Sequence, residues 1–169
     1  DELLFNLGMV FGEAKRTQEA IEYMERAIEE NPKNASALNY VGYTWAERGD
    51  NLDQAEDYIV RALDLRPDDG FIIDSLGWVY YMRARPLFDT GRSEEAKQYI
   101  DRALKELLRA QELTGGDPVV SEHLGDIYLL LDQKHMALQR YQEAVDLTPR
   151  ESEQPDLFKK LEALRREIE

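Results

Sequence analysis

One repeated pattern decides what this chain can fold into. A Leu-Gly or Val-Gly pair recurs at Leu7-Gly8, Val41-Gly42, Leu76-Gly77 and Leu124-Gly125, and an aromatic residue follows each glycine at Phe11, Trp45, Tyr80 and Tyr128. Downstream of each comes a small-large-small cassette: Ala20, Met24, Ala27; Ala55, Ile59, Ala62; Ala96, Ile100, Ala103; and Ala137, Tyr141, Ala144. Pro32, Pro67 and Pro149 close three of the four copies. A recurrence at 34 residues (Gly8 to Gly42) and 35 residues (Gly42 to Gly77) is the mark of a repeat architecture.

Both cassettes have helical spacing, so each copy predicts two helices. Gly and Ala at fixed points allow two antiparallel helices to approach closely, and the large residues fill the gaps between them. A proline cannot continue a helix, so it ends the second helix of each pair. One hairpin cannot bury its apolar face alone, whereas stacked neighbours bury a continuous core. The chain is 43% hydrophobic, enough for such a core, and 33% charged, enough to solvate the outside.

These residues resemble the tetratricopeptide-repeat (TPR) family over roughly residues 1–150. The resemblance implies an all-α fold, a right-handed superhelical TPR solenoid of four helix-turn-helix repeats plus a C-terminal capping helix. The repeats are expected at about 1–34, 35–69, 70–117 and 118–151 in one domain, with the capping helix at about 155–168. That last helix opens on Pro155 and carries an apolar stripe of Leu157, Phe158, Leu161, Leu164 and Ile168, with Lys159, Lys160, Glu162, Arg165, Arg166 and Glu167 falling largely elsewhere. At the other end Leu3, Leu4, Leu7, Val10 and Phe11 begin almost at once with no polar cap, so the chain is expected to be a piece of a longer protein.

Copy three departs from the pattern, because Gly77 to Gly125 spans 48 residues. The turn signal Gly91-Arg92-Ser93 arrives late, and the cassette occurs twice, as Ala96, Ile100, Ala103 and as Ala103, Leu107, Ala110. Either both helices of hairpin three are lengthened by about two turns, or one long second helix, about 93–113, lies beside an irregular loop at Pro86-Leu87-Phe88. Pro86 is expected to kink or end the first helix near Arg85. In either arrangement hairpin three is expected to project from the solenoid edge.

In the TPR family the first helices of successive repeats line a concave groove. The family register places Phe5, Asn6 and Met9 there from the first copy, and Asn39, Tyr40 and Tyr43 from the second. The third supplies Phe71, Asp74, Ser75, Trp78, Tyr81 and Met82, and the fourth Glu122, His123 and Asp126. Aromatics give contact area at low entropy cost, and asparagine both donates to and accepts from an extended backbone. The expected ligand is an extended or helical protein segment with apolar anchors, basic at the end facing Asp74, Glu122 and Asp126. Phe71 and Tyr81 are equally compatible with packing between repeats.

Chaperone-binding members of the family grip a terminal carboxylate with Lys and Arg. The equivalent positions here hold Phe5, Met9, Tyr40, Phe71 and Ser75, which disfavours that role. A formal net charge of −14 disfavours nucleic acid and anionic lipid as partners. The absence of cysteine removes disulfides and thiolate chemistry. Neither a membrane-spanning apolar run nor a signal peptide is visible. His123 with Glu122 and Asp126 is a weak metal-ligand grouping, better read as a solvated or peptide-facing patch, and His135 is expected exposed in the last inter-helix turn. No nucleophile-base pair or phosphate loop is present, so no enzyme activity, cofactor or metal is expected.

Three stretches, Asn39–Thr44, Asp68–Trp78 and Glu122–Asp126, are similar to TPR proteins of the Gram-negative envelope, one type being the outer-membrane lipoprotein adaptor of a periplasmic carboxyl-terminal processing protease. That resemblance implies a protein-binding scaffold in the periplasm or at the outer membrane, with the cytoplasm as the alternative compartment. The competing expectation is a structural assembly protein, forming a homodimer through hairpin three or the open N-terminal face.

Overall fold

A computed structural model of the chain describes residues 1–148, 150–151 and 154–168. Among the described residues all regular structure is helical. The helices are α1 (Glu2–Glu13), α2 (Thr17–Glu30), α3 (Ala35–Arg48), α4 (Leu52–Leu65), α5 (Gly70–Asp89), α6 (Ser93–Thr114), α7 (Pro118–Leu130), α8 (Lys134–Leu147) and α9 (Pro155–Ile168). Each odd-numbered helix up to α7 packs on the helix that follows it, and the pairs stack through α2 on α3, α3 and α4 on α5, α6 on α7, and α8 on α9.

The repeated glycines lie where the two helices of a pair meet. A methyl group on Gly8 would sit 2.9 Å from Met24 Cε, and one on Gly42 would sit 2.7 Å from Ile59 Cγ1 and 2.9 Å from the Ala55 carbonyl oxygen. Gly77 faces Leu107 in the same way, and Gly125 faces Tyr141. The middle residue of each downstream cassette is therefore the knob that its glycine admits. Ala20, Ala55, Ala103 and Ala137 are fully buried beside those knobs.

Hairpin three follows from the same contact. A methyl on Gly77 would sit 2.7 Å from Leu107 Cγ and 3.3 Å from the Ala103 carbonyl oxygen, so its register mate is the second copy of the cassette, Ala103-Leu107-Ala110. The first copy, Ala96 and Ile100, is buried along the added turns. Both helices are long, 20 residues for α5 and 22 for α6, which keeps the pair matched. The expectation that the first helix ends near Arg85 does not hold: α5 continues through Pro86 to Asp89. Packing along α6 outweighs the one hydrogen bond that proline cannot donate. The long pair also leans on its neighbour, since Arg83 Nη2 reaches the Leu52 carbonyl at 3.1 Å, Asp53 at 2.7 Å and Glu56 at 3.0 Å.

Helix boundaries follow local chemistry. Asn34, Asp69 and Asp117 cap α3, α5 and α7 through side-chain oxygens that accept backbone N–H groups. Gly49 and Gly115 end α3 and α6 in the left-handed conformation, with φ of 69° and 70°. Pro32 and Pro67 lie just past the ends of α2 and α4, and Pro149 lies outside the described residues. His135 is exposed but belongs to the first turn of α8. Leu157, Leu161 and Leu164 of α9 are buried against the last repeat.

Candidate functional site: a cleft along the first helices

The residues expected to line a groove divide into an open cleft and a closed wall. Phe5, Met9, Asn39, Tyr40, Tyr43 and Phe71 border a cleft of about 320 Å³, together with Ser36, Arg66, Asp69 and Ile72. A second cleft of about 270 Å³ adjoins it, bordered by Asn39, Tyr43, Phe71, Asp74, Ser75, Asp117 and Val119. Asn39, Tyr43 and Phe71 border both, so the two form one furrow along α1, α3, α5 and the start of α7. Phe71 is 59% exposed and Met9 38%, apolar surface offered to whatever lies in the furrow. Asn6 is exposed and borders neither cleft.

The wall lies deeper. Trp78 stacks on His123 with ring centroids 4.0 Å apart and on Tyr81 at 4.6 Å, and Tyr43 tilts toward His123 at 6.2 Å. His123 Nδ1 is 2.8 Å from Asp74 Oδ1. Tyr81, His123, Asp74 and Ser75 are all buried. His123 is therefore neither solvated nor metal-facing, and among the described residues no group of metal-ligating side chains is present. The reason is the stacking of repeats: α7 packs its Gly125 face on α8 and its preceding turn against α5, which closes over the ring. Met82 is half-buried near Gly49, in the turn of the preceding hairpin, and borders neither cleft.

Electrostatics follow this burial. Burial pulls the His123 pKa down, but the Asp74 carboxylate, helped by Asp126 and Glu122, outweighs it and leaves the imidazole more basic than usual. Burial pushes the Tyr81 hydroxyl up to about 12, with the Asp126 charge adding to it. Burial and then the Glu47 charge raise Tyr43 further still, and its hydroxyl donates to Glu47 at 3.1 Å.

The acidic end of the furrow is occupied from within the chain. Lys160 of α9 donates to Glu122 at 2.7 Å and to the two oxygens of Asp126 at 2.9 and 2.8 Å. Asp126 also accepts from the Tyr141 hydroxyl at 2.5 Å. Lys160, grouped by the sequence pattern with the solvent-facing residues of α9, instead points back across α7. Desolvation lowers its pKa, yet the two carboxylates prevail and hold it above the usual lysine range. Glu122 and Asp126 are thus paired within the chain rather than open to a ligand. Arg66 was likewise missing from the expected lining: it contacts Ser36 at 3.2 Å and Asp69 at 3.8 Å on the rim.

Comparison with known proteins agrees with the fold of stacked helical hairpins. The tetratricopeptide repeat family profile matches residues 5–70 and again residues 79–106. The chain belongs to the tetratricopeptide-repeat family. A TPR repeat-containing protein of Pseudomonas aeruginosa is 35% identical over 99 residues, 59% of this chain and 14% of that protein. The human Cell division cycle protein 16 homolog is 40% identical over 77 residues, 46% of this chain and 12% of that protein. The chain thus spans a small part of the length of these relatives. A solved thermophilic TPR protein of Thermus thermophilus superposes with a TM-score of 0.83 at 22% identity, covering 99% of this chain and 82% of that one. TPR proteins generally mediate protein–protein interactions, and the family and fold are typically non-catalytic scaffolds. No helix among the described residues is long and apolar enough to cross a membrane.

Proposed function

We propose that this chain is a protein-binding adaptor that holds an extended or helical segment of another protein along the furrow of α1, α3 and α5. One observation carries the proposal: a continuous cleft bordered by exposed Phe71 and Met9 and half-buried Phe5, Tyr40 and Tyr43, with the Asn39 amide at its centre. Aromatic anchors of this kind supply much of the binding energy at protein interfaces, and two adjoining clefts along successive helices suit an extended segment. The similarity of three stretches to envelope TPR proteins extends the proposal to a scaffold in the Gram-negative periplasm or at the outer membrane.

The test uses Phe71→Ala with Met9→Ala, because both side chains are exposed and their loss leaves the wall of Trp78, Tyr81 and His123 intact. Wild-type protein is expected to retain a specific partner from envelope extract, and the double variant is expected to lose it with unchanged helicity. Equal retention by both proteins overturns the proposal. A second reading, self-association, is favoured by Leu3 and Val10, 72% and 59% exposed on α1. Sedimentation that shows one monomeric species across a wide concentration range removes it.

A further inference from the structure

Two junctions of the array carry a polar contact between neighbouring units. Between repeats three and four the residue three before one glycine faces the residue two before the next, whereas the same positions at the first junction hold Phe5 and Tyr40. Asp74 meets His123 in this way at 2.8 Å. Glu122 meets Lys160, which α9 supplies in the place of a further repeat, at 2.7 Å. In both junctions an acceptor on one repeat is matched by a basic donor on the next.

The junction between repeats two and three has polar residues at these positions but no contact between them. The same positions hold Asn39 and Ser75. The Ser75 hydroxyl donates backwards to the Phe71 carbonyl at 3.0 Å instead of crossing to Asn39. Asn39 Oδ1 is left buried with no hydrogen-bond partner. An unpaired buried acceptor is costly, because it has given up water without gaining a donor, and it calls for a partner. The cleft of about 270 Å³ opens at this junction, with Asn39 and Ser75 both in its lining. Tyr43 and Phe71 supply aromatic faces, Asp74 and Asp117 supply carboxylates, and no cationic side chain borders it.

We infer that this cleft is a subsite for one lysine or arginine side chain of the bound protein segment, held beside Asp74 and Asp117, with the Asn39 side chain turning so that its buried Oδ1 accepts from the cation. This rests on the groove-binding reading and adds the chemistry of one ligand position to it. A cation between aromatic faces gains from their quadrupoles, and its N–H donors are shared between an amide oxygen and nearby carboxylates. An acidic side chain is repelled by Asp74 and Asp117. An apolar one leaves Asn39 Oδ1 unpaired, and a neutral amide satisfies Asn39 but gains nothing from the carboxylates. The volume suits one long side chain rather than a whole small molecule. The chain's charge of −14 adds long-range attraction for a basic segment. Of the basic anchor expected from the sequence at Asp74, Glu122 and Asp126, Lys160 fills the Glu122 and Asp126 part, and the open position is the one at Asp74.

Two capped heptapeptides test this, Ala-Leu-Ala-Arg-Ala-Leu-Ala and the same peptide with Gln in place of Arg, each titrated to millimolar concentration into nitrogen-15-labelled protein. The Arg peptide is expected to shift the Asn39 side-chain amide and the Phe71 and Val119 backbone amides, and to bind roughly tenfold more tightly than the Gln peptide. Asp117→Asn keeps the cap of α7, since asparagine caps as well as aspartate, while removing one charge. It is expected to lower affinity for the Arg peptide roughly threefold and to leave the Gln peptide unchanged. Asn39→Leu is expected to remove most of the preference for Arg. Equal binding of both peptides at these resonances overturns the basic subsite and leaves the groove standing. If neither peptide shifts any cleft resonance, the subsite and the groove reading fall together.

Discussion

Replacing Gly42 by alanine tests the packing that builds every repeat, and the structure supplies the magnitude. In a helix interior the change alone is favourable by about 1 kcal/mol, because alanine is the better helix former. The new methyl, however, would lie 2.7 Å from Ile59 Cγ1 and 2.9 Å from the Ala55 carbonyl oxygen. Ile59 is fully buried and the carbonyl is backbone within α4, so neither can step aside without moving the helix. Overpacking of this kind costs typically 1–3 kcal/mol and more when backbone must shift. With a backbone carbonyl in the way the cost is about 2–4 kcal/mol, and subtracting the gain of about 1 kcal/mol leaves a net loss of about 1–3 kcal/mol, or a fall of roughly 3–10 °C in Tm for a domain of this size. Gly8→Ala is the internal control. The nearest neighbours of a methyl there are Met24 Cε, Cγ and Sδ at 2.9 to 3.1 Å, atoms of a flexible side chain. Repacking of Met24 and the gain in helix propensity should leave it within about 1 kcal/mol of wild type. Thermal and urea unfolding followed by far-ultraviolet circular dichroism compare the two variants directly. Equal midpoints, or a more stable Gly42→Ala protein, would refute the argument that glycine is there to admit the facing helix.

Other outcomes follow from the wall and from α9. His123 has a folded pKa raised above its unfolded value, so its pair with Asp74 stabilises most fully below about pH 6.5, and that contribution is lost as pH rises through the raised value. The urea midpoint should therefore fall between about pH 6 and pH 9 in the wild type, and His123→Gln should flatten that part of the profile; an unchanged profile would show that the pair does not titrate there. Lys160→Ala removes the partner of Glu122 and Asp126, and because the lysine is partly exposed the cost is about 1 kcal/mol. Hydrogen exchange should quicken throughout α9 in that variant and remain unchanged in α3 and α4.

The fold was legible in the sequence because close packing of two helices leaves few choices at the contact. Gly8, Gly42, Gly77 and Gly125 each face a large residue, and that constraint repeats wherever a hairpin repeats. The lengthened third pair was legible as two alternatives, and the structure selects the matched one through the Gly77–Leu107 contact. Pro86 misled because proline's local cost was weighed without the long partner helix beside it. The site was legible only in part. Phe5, Met9, Tyr40, Tyr43 and Phe71 do border a cleft and the largely buried Asp74 and Ser75 border its neighbour, but Tyr81 and His123 are buried between repeats and border neither. Helical periodicity tells which face a residue shares; it does not tell how far the next repeat rotates over that face. Lys160 was missed for the same reason: one helical step from Leu161, it looks solvent-facing until α9 is laid across α7. Asp69 and Asp117 could have been found, since each is a helix cap at the start of a first helix that borders the clefts.

The most direct test of the central claim places a photo-activated phenylalanine analogue at Phe71, 59% exposed in the furrow, and separately at Leu108, 41% exposed on α6. Irradiation in envelope extract is expected to give a discrete cross-linked product from position 71, with the captured peptide carrying a lysine or arginine near the point of attachment, and none from position 108. Products of equal yield from both positions, or from 108 alone, would contradict the assignment of the furrow as the binding surface.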